Sequence, residues 1–215
     1  VPLTAGLTAL QAMQIGTAGL TAMLCVMALE EAGITPEQGD ILVTGASGGV
    51  GSVAVSLLAA KGYSVIAATG RESNRELLLQ LGAKQVITRD ELLTPIRALD
   101  KQVWAGAVDT VGSSVLAKVL SQMNYGGAVA ACGLAGGFDL PATVMPFILR
   151  NVRLQGVDSV MCPLERRQQA WQQLAQLLPA SFYDHACEEI ILEEAPEAAA
   201  KIMDGQITGR VVIKI

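Results

Sequence analysis

Three glycines at three-residue spacing, Gly45, Gly48 and Gly51, stand between an apolar run, Ile41-Leu42-Val43, and a stripe of Val50, Val53, Ala54, Leu57 and Leu58. The run reads as a strand buried on both faces, and the stripe as a helix packed on a sheet. Strand, glycine turn and helix form a setting in which backbone can approach a pyrophosphate. The helix N-terminus offers free N–H groups and the positive end of its dipole to the negative charge. Side chains at Gly48 or Gly49 would stand between backbone and phosphate. Ala46 takes the place of the first glycine of G-x-G-x-x-G, giving A-S-G-G-V-G. Glycine-rich turns also arise for steric reasons alone, so it is the flanking pattern that carries the reading of dinucleotide binding.

About 20 residues further on, the next strand ends Ala68-Thr69-Gly70-Arg71, where such sites read the ribose 2′ position. A carboxylate there would repel a 2′-phosphate, whereas a guanidinium can grip it with two parallel bonds. Arg71 therefore favours NADP(H) over NAD, with Thr69 and Ser73 as further hydroxyl donors. Glu72 is the counter-candidate, able to accept from a 2′-hydroxyl if the turn is offset, and Arg71 could equally be an ordinary solvated loop charge. Two later strand ends, Val108–Gly112 and Ala131–Gly137, switch abruptly to glycine-bearing loops and would emerge on the nicotinamide side. Asp109 is expected to bond local backbone N–H groups rather than act as an acid. Cys132, inside an apolar strand, is expected to be inert. The only histidine, His185, lies beside Asp184 and Cys187 with no partner cluster and reads as structural. No residue is assigned a catalytic role, and none is assigned as a metal ligand.

The elements that must position these residues alternate from Asp40 onward. Strands are expected at Ile41–Val43, Ser64–Thr69, Gln85–Thr88, Ala107–Thr110, Gly127–Cys132 and Val152–Val157. The helices between and after them are Asn74–Leu81, Asp90–Ala98, Ser113–Met123 and Pro163–Leu178. Six strands with helical crossovers imply an α/β, doubly wound Rossmann sheet, parallel and covered on both faces, in the order 3-2-1-4-5-6. Before it, Val1–Leu29 contains no charged residue and is long enough to cross a bilayer. Its one proline, its glutamines, glycines and threonines, and the lack of a basic leader, argue against a membrane or signal segment. The better reading is two buried pieces parted near Gly16: Leu7–Met13, then a helix from Thr17 to about Glu31, with Thr17 as N-cap and Gly33 as C-cap.

At 215 residues with a net charge of −5 and no basic block, the chain has ample length for a core and no footprint for a nucleic acid. Cys25, Cys132, Cys162 and Cys187 share no C-x-x-C spacing. They read as buried thiols of a reducing compartment, as in a cytoplasmic protein.

Gly16-Thr17-Ala18-Gly19, Val43–Ser52, Ala68–Arg71, Asp109–Gly112, Phe147–Val152, Gly156–Val160 and the terminal G-R-V-V-I-K-I together resemble the zinc-independent medium-chain dehydrogenase/reductases. Within these the likeness is greatest to NADPH-dependent acryloyl-CoA reductases, often labelled quinone oxidoreductases. The resemblance runs over nearly the whole chain from Gly16. It implies cofactor contacts at Ala46, Ser47, Gly48, Gly49, Val50, Thr69, Gly70, Arg71, Arg89, Leu134, Ile148 and Ser159. Arg89 would lie over adenine, and Leu134 and Ile148 would wall the nicotinamide. Gly205 departs from the family, where a polar side chain is expected.

The family also carries a GroES-like catalytic domain, so residues 1–15 are expected to lead in from it, 16–194 to form the NADP-binding domain, and 195–215 to return. The implied reaction is hydride transfer to the β-carbon of an α,β-unsaturated thioester, acryloyl-CoA to propionyl-CoA. Reduction of a quinone or another enone, and a non-catalytic dinucleotide-binding module, are the alternatives. The partners implied are a small acyl-CoA or enone substrate and, through the sixth strand at the sheet edge, a second copy of the chain. That strand carries Arg153 as its only charge; a loop at Asp158–Pro163 or the following helix covering the edge would instead leave a monomer.

Overall fold

The computed structural model describes residues 2–215; Val1, the first residue of the expected lead-in segment, lies outside the described residues. Six strands, β1 (Asp40–Val43), β2 (Ser64–Thr69), β3 (Gln85–Thr88), β4 (Trp104–Asp109), β5 (Met123–Ala131) and β6 (Arg153–Gly156), form a parallel sheet in the order β3-β2-β1-β4-β5-β6. The expected fold class and strand order are thus observed. Alternate residues of each strand feed opposite layers. Ile41 and Val43 face the layer built by α1 (Ala9–Glu31), α2 (Gly49–Ala60), α6 (Leu164–Leu177) and α7 (Ala180–Ala186). Leu42 faces the layer built largely by α4 (Ser113–Ser121). The remaining helices are α3 (Arg75–Gln80), α5 (Met145–Arg150) and α8 (Ala195–Met203), and β7 (Cys187–Ile191) pairs in parallel with β8 (Arg210–Lys214).

The N-terminal helix differs from its expected form in one half. Gly16 (φ 53°, ψ −158°) breaks α1, as the sequence indicated, but Gly16 itself, not Thr17, is the non-helical residue before the second half. The first half begins at Ala9 behind Thr8, whose hydroxyl accepts from the Gln11 amide at 3.1 Å while the Gln11 side chain accepts from the Thr8 amide at 2.9 Å. Only its end, Gln14 and Ile15, is buried, and the expected burial of Leu7–Met13 is not observed: Leu10 and Met13 are 41% and 64% exposed. The second half is enclosed on every side, with Leu20 to Leu29 all buried between α2, α6 and β5. A helix apolar all round is a core helix or a membrane span. This one meets the length and composition of a span and is packed inside the protein. Gly33 (φ 86°) ends it as expected, with Gly33 and Ile34 amides donating to Glu30 and Leu29 carbonyls.

Two further corrections concern the sheet's second half. The helix expected at Asp90–Ala98 is only a 3-10 turn, Arg89–Leu92. Pro95 cannot join a helix interior and restricts the residue before it. Strand β5 starts at Met123 rather than Gly127, passing Gly126 at φ 76° and a register shift against β4 between Trp104 and Gly106. Strand β6 closes the sheet as a short edge in which Arg153, Gln155 and Gly156 are exposed. Arg153 donates to the Ala32 carbonyl at 3.1 Å, tying the edge to the end of α1.

Candidate cofactor site

Strand β1 delivers the chain to the glycine turn. Gly45 sits at φ 57°, and a Cβ there would collide with Thr110 Oγ1 reaching over from the end of β4. Ala46 is fully buried, and its amide donates to the Ala68 carbonyl of β2 at 3.0 Å. A Cβ on Gly51 would lie 2.6 Å from Ala46 Cα and 2.9 Å from Ala46 C, so the first turn of α2 rests directly on the loop before it. The working pattern is therefore G-x-x-G-x-x-G, and the glycine that Ala46 was read as replacing is supplied one position earlier by Gly45.

Gly48 caps α2 at φ −81° with no side-chain bond, and a Cβ there would meet only the Gly45 carbonyl at 3.3 Å. The protein itself has room for a small side chain at that point. A bare backbone at the N-terminus of α2 leaves its free N–H groups accessible, as a cradle for an anion requires.

The turn opens onto a cleft of about 620 Å³ at the carboxyl ends of the strands, where β1 and β4 part. Ser47, Gly48, Gly70, Arg71 and Arg89 line it together. The Ser47 and Thr69 hydroxyls share a hydrogen bond of 3.0 Å, and Thr69 accepts from the Arg71 amide at 3.2 Å. The turn and the end of β2 are thereby fixed to each other. The Arg89 guanidinium lies over Gly70, where a Cβ would stand 3.4 Å from its Cζ. Glu72 points away to an exposed ion pair with Arg75 and does not line the cleft. Arg71 is not a solvated loop charge. Its two terminal nitrogens donate to the carbonyls of Gln206 and Ile207 at 2.6 and 2.7 Å. Gly49 and Val50 form the first turn of α2.

Leu134, Ile148 and Ser159 stand apart from this cleft. Leu134 and Ile148 are 66% and 72% exposed, and Ala135 and Gly136 form the wall beside them. The Ser159 carbonyl accepts from Arg167 at 2.7 Å.

Asp109 does what its place at a strand end suggested. It is fully buried, accepts from the Thr44 hydroxyl at 2.7 Å, and accepts from the Gly112 amide at 2.8 Å. Thr44 in turn accepts from the Thr110 amide at 3.1 Å, and the Thr110 hydroxyl donates to the Thr44 carbonyl at 3.0 Å. Burial raises the Asp109 pKa above its ordinary value, opposed by these bonds. This network pins β1 to β4 at the switch point.

Two readings of the thiols change. Cys132 lies just past β5, half-buried, with its amide donating to the Asp109 carbonyl at 2.9 Å. A hydrogen bond with Cys25 lowers the pKa of the Cys132 thiol and raises that of Cys25. Only Cys25 is fully buried; Cys132, Cys162 and Cys187 are intermediate, and all four are free. His185 is exposed in the last turn of α7, and among the described residues no three His, Cys, Asp or Glu side chains cluster to hold a metal.

One residue the sequence reading passed over is Arg210. Its Nε donates to the Gln14 carbonyl at 2.9 Å. Its Nη1 and Nη2 lie 3.0 and 2.8 Å from where Cβ atoms on Gly49 and Gly16 would be. It has no carboxylate partner among the described residues. A half-buried cation at the N-terminus of α2 adds to the positive potential there. The pattern offered no warning, because Arg210 lies far along the chain from the turn it serves.

The chain is 66% identical over 215 residues to the Escherichia coli K12 protein named "Probable acrylyl-CoA reductase AcuI", and 52% identical over 216 residues to "Acrylyl-CoA reductase AcuI" of Ruegeria pomeroyi. In each match it is covered in full and spans 66% of the relative's length. Among solved structures it superposes on E. coli K-12 YhdH with bound NADPH at a TM-score of 0.97 and 66% identity. Against Bacillus subtilis yhfP with NAD bound the values are 0.96 and 47%. Each superposition covers all of this chain and 66% of the other. The family model for zinc-binding dehydrogenases matches residues 49–179, more than half of the sequence and the region that runs from the glycine turn through β6, and the chain belongs to that family.

Proposed function

We propose that this chain is the cofactor-binding part of an NADPH-dependent reductase that acts on the C=C bond of an α,β-unsaturated thioester, acryloyl-CoA to propionyl-CoA. The observation that carries the reading is the cleft wall that joins the glycine turn to Arg71 and Arg89, in a chain 66% identical to a relative named for that reaction. Gly48, Gly49 and Val50 present backbone to the pyrophosphate, with Arg210 adding charge. Arg71 takes the 2′-phosphate and Arg89 stacks on the adenine. Ala135 and Gly136 leave room for the nicotinamide, with Leu134, Ile148 and Ser159 beyond them at that end. When bound, NADPH supplies the hydride to the β-carbon; the residues of this chain hold and orient. Quinone reduction is the second reading, and the NAD-bound yhfP structure keeps the 2′-phosphate preference a matter for measurement. Assaying NADPH oxidation by the intact protein with acryloyl-CoA against a quinone decides between them, and turnover with the quinone alone rejects the thioester reading.

The same reading places the protein in the cytoplasm, and as a homodimer joined through β6. The backbone of this edge strand is open to pairing, and its exposed face is polar with Arg153 as the only charge. A dimer in sedimentation equilibrium that Leu154→Pro dissociates supports the edge pairing, and a monomer at micromolar concentration rejects it.

A further inference from the structure

The stretch between α8 and β8 is stitched, residue by residue, to separate parts of the cofactor site. The carbonyls of Gln206 and Ile207 accept from the Arg71 guanidinium, and Gln206 and Ile207 also line the cleft. The Thr208 hydroxyl donates to Asn74 Oδ1 at 3.2 Å, in the turn that follows Arg71. The Gly209 amide donates to the Ser47 carbonyl at 2.9 Å, inside the glycine turn. Gly209 holds φ 64°, and a Cβ on it would collide with the Ala186 carbonyl, so the backbone has one way to pass. Four consecutive residues thus grip the two loops that would receive the phosphates.

We infer that Gln206–Gly209 is a strap that sets cofactor preference by positioning Arg71. The inference rests on the NADPH reading above. A free arginine side chain gives up rotamer entropy when it is fixed. Here two of its five N–H donors are already satisfied by fixed carbonyls at the cleft wall. The remaining three keep an edge for a phosphate, whose binding no longer has to order the side chain. Linkage makes the effect reciprocal: a 2′-phosphate on Arg71 stabilises the strap by the factor with which the strap favours the phosphate. A cofactor without that phosphate gains nothing from it. The strap is therefore a positioning element for discrimination between the two dinucleotides, remote in sequence from the arginine it directs.

The test is a titration of the intact protein with NADPH and with NADH, alongside amide hydrogen exchange at residues 206–209. Thr208→Val removes the bond to Asn74 and leaves the cleft lining intact; Gly209→Ala forces the strap from its path. The preference for NADPH over NADH should fall by about threefold in the first and about tenfold in the second, with NADH affinity falling much less than NADPH affinity. In the wild type, NADPH should slow exchange at 206–209 more than NADH does, and Arg71→Ala should abolish the difference. An unchanged preference in Gly209→Ala overturns the strap while leaving the NADPH reading in place. A parallel loss of both affinities also overturns it, because that is damage to the cleft rather than lost discrimination. A wild type that binds both cofactors equally refutes the NADPH reading itself.

Discussion

The two halves of the cleft are built differently. The half over β1 and β2 is closed by polar bonds: Ser47 to Thr69, Thr69 to Arg71, Arg71 to the strap. The half over β4 and β5 is fixed below by the buried Asp109 network and lined above by Ala135 and Gly136, and outside the cleft Leu134, Phe138 and Ile148 stand bare, all more than half exposed. The first half is held by bonds within the chain, with two of the Arg71 donors already engaged by backbone carbonyls.

The harshest way to break the contrast is through the glycines of the turn. Gly51→Val would drive a side chain into the backbone of Ala46, and Gly45→Val would add the strain of φ 57°. Either should lower stability by about 3 kcal/mol or more and abolish cofactor binding, as thermal melting and calorimetry will show. Gly48→Ala should leave melting unchanged and weaken only the cofactor, because its Cβ meets nothing closer than the Gly45 carbonyl at 3.3 Å. If Gly48→Ala instead melts early, the glycine there serves the fold and the phosphate cradle is misplaced.

Arg71→Ala comes next. It removes a charge-assisted bidentate contact worth about 2 kcal/mol, so the NADPH preference should drop some thirtyfold in titration calorimetry, with NADH affinity little affected. Equal affinities in the unmutated protein would refute the role given to this half.

Asp109→Asn probes the floor of the other half. The carboxylate accepts on both oxygens, from Thr44 and from Gly112, and an amide can accept on only one. About 1–3 kcal/mol of stability should be lost in urea unfolding at neutral pH. The pH dependence carries the sign. The folded pKa is raised above 3.8, so the folded state holds this proton more tightly than the unfolded one. The wild type therefore loses stability from this group as pH rises from about 3.8 through the folded pKa, and the variant lacks that component. A variant with the same pH profile as the wild type in that window would show that Asp109 titrates normally.

The smallest effects belong to the bare wall. Leu134→Ala and Ile148→Ala should change stability by no more than about 0.5 kcal/mol, since both side chains already meet solvent. A larger loss in melting would mean that this wall is packed within the chain, and the contrast between the halves would fail.

What the sequence made legible follows the same division. The glycine turn, Arg71, the strand order and the local role of Asp109 were readable because each depends on neighbours within a few residues or on a periodicity of two or 3.6. The displaced first glycine was not, because G-A-S-G-G-V-G scans as a damaged G-x-G-x-x-G until the φ of Gly45 is known. Helix α5 carried its signals, Pro146 at the start and Asn151 in the left-handed region at the end, but six residues are too few for a stripe. The strap and Arg210 were hidden for a different reason. Their partners lie 134 to 196 residues away in the chain, and no local pattern encodes a bond from a backbone carbonyl to so distant an arginine.

The buried half of α1 has a consequence during synthesis. From Ala9 to Leu29 the helix carries no charge, and its covering partners β5 and α6 begin at Met123 and Leu164. A ribosome adding about 5–20 residues per second needs roughly 7–27 s to make the ~135 residues between Leu29 and Leu164. For the first part of that interval, before β4 and β5 are made, the oily segment has chiefly α2 to shelter against, since α2 is the nearest apolar helix in the sequence that packs on it. The pair should therefore form first as a helical hairpin on the nascent chain, and any slowing of translation beyond Ala60 would lengthen the period in which aggregation competes with folding.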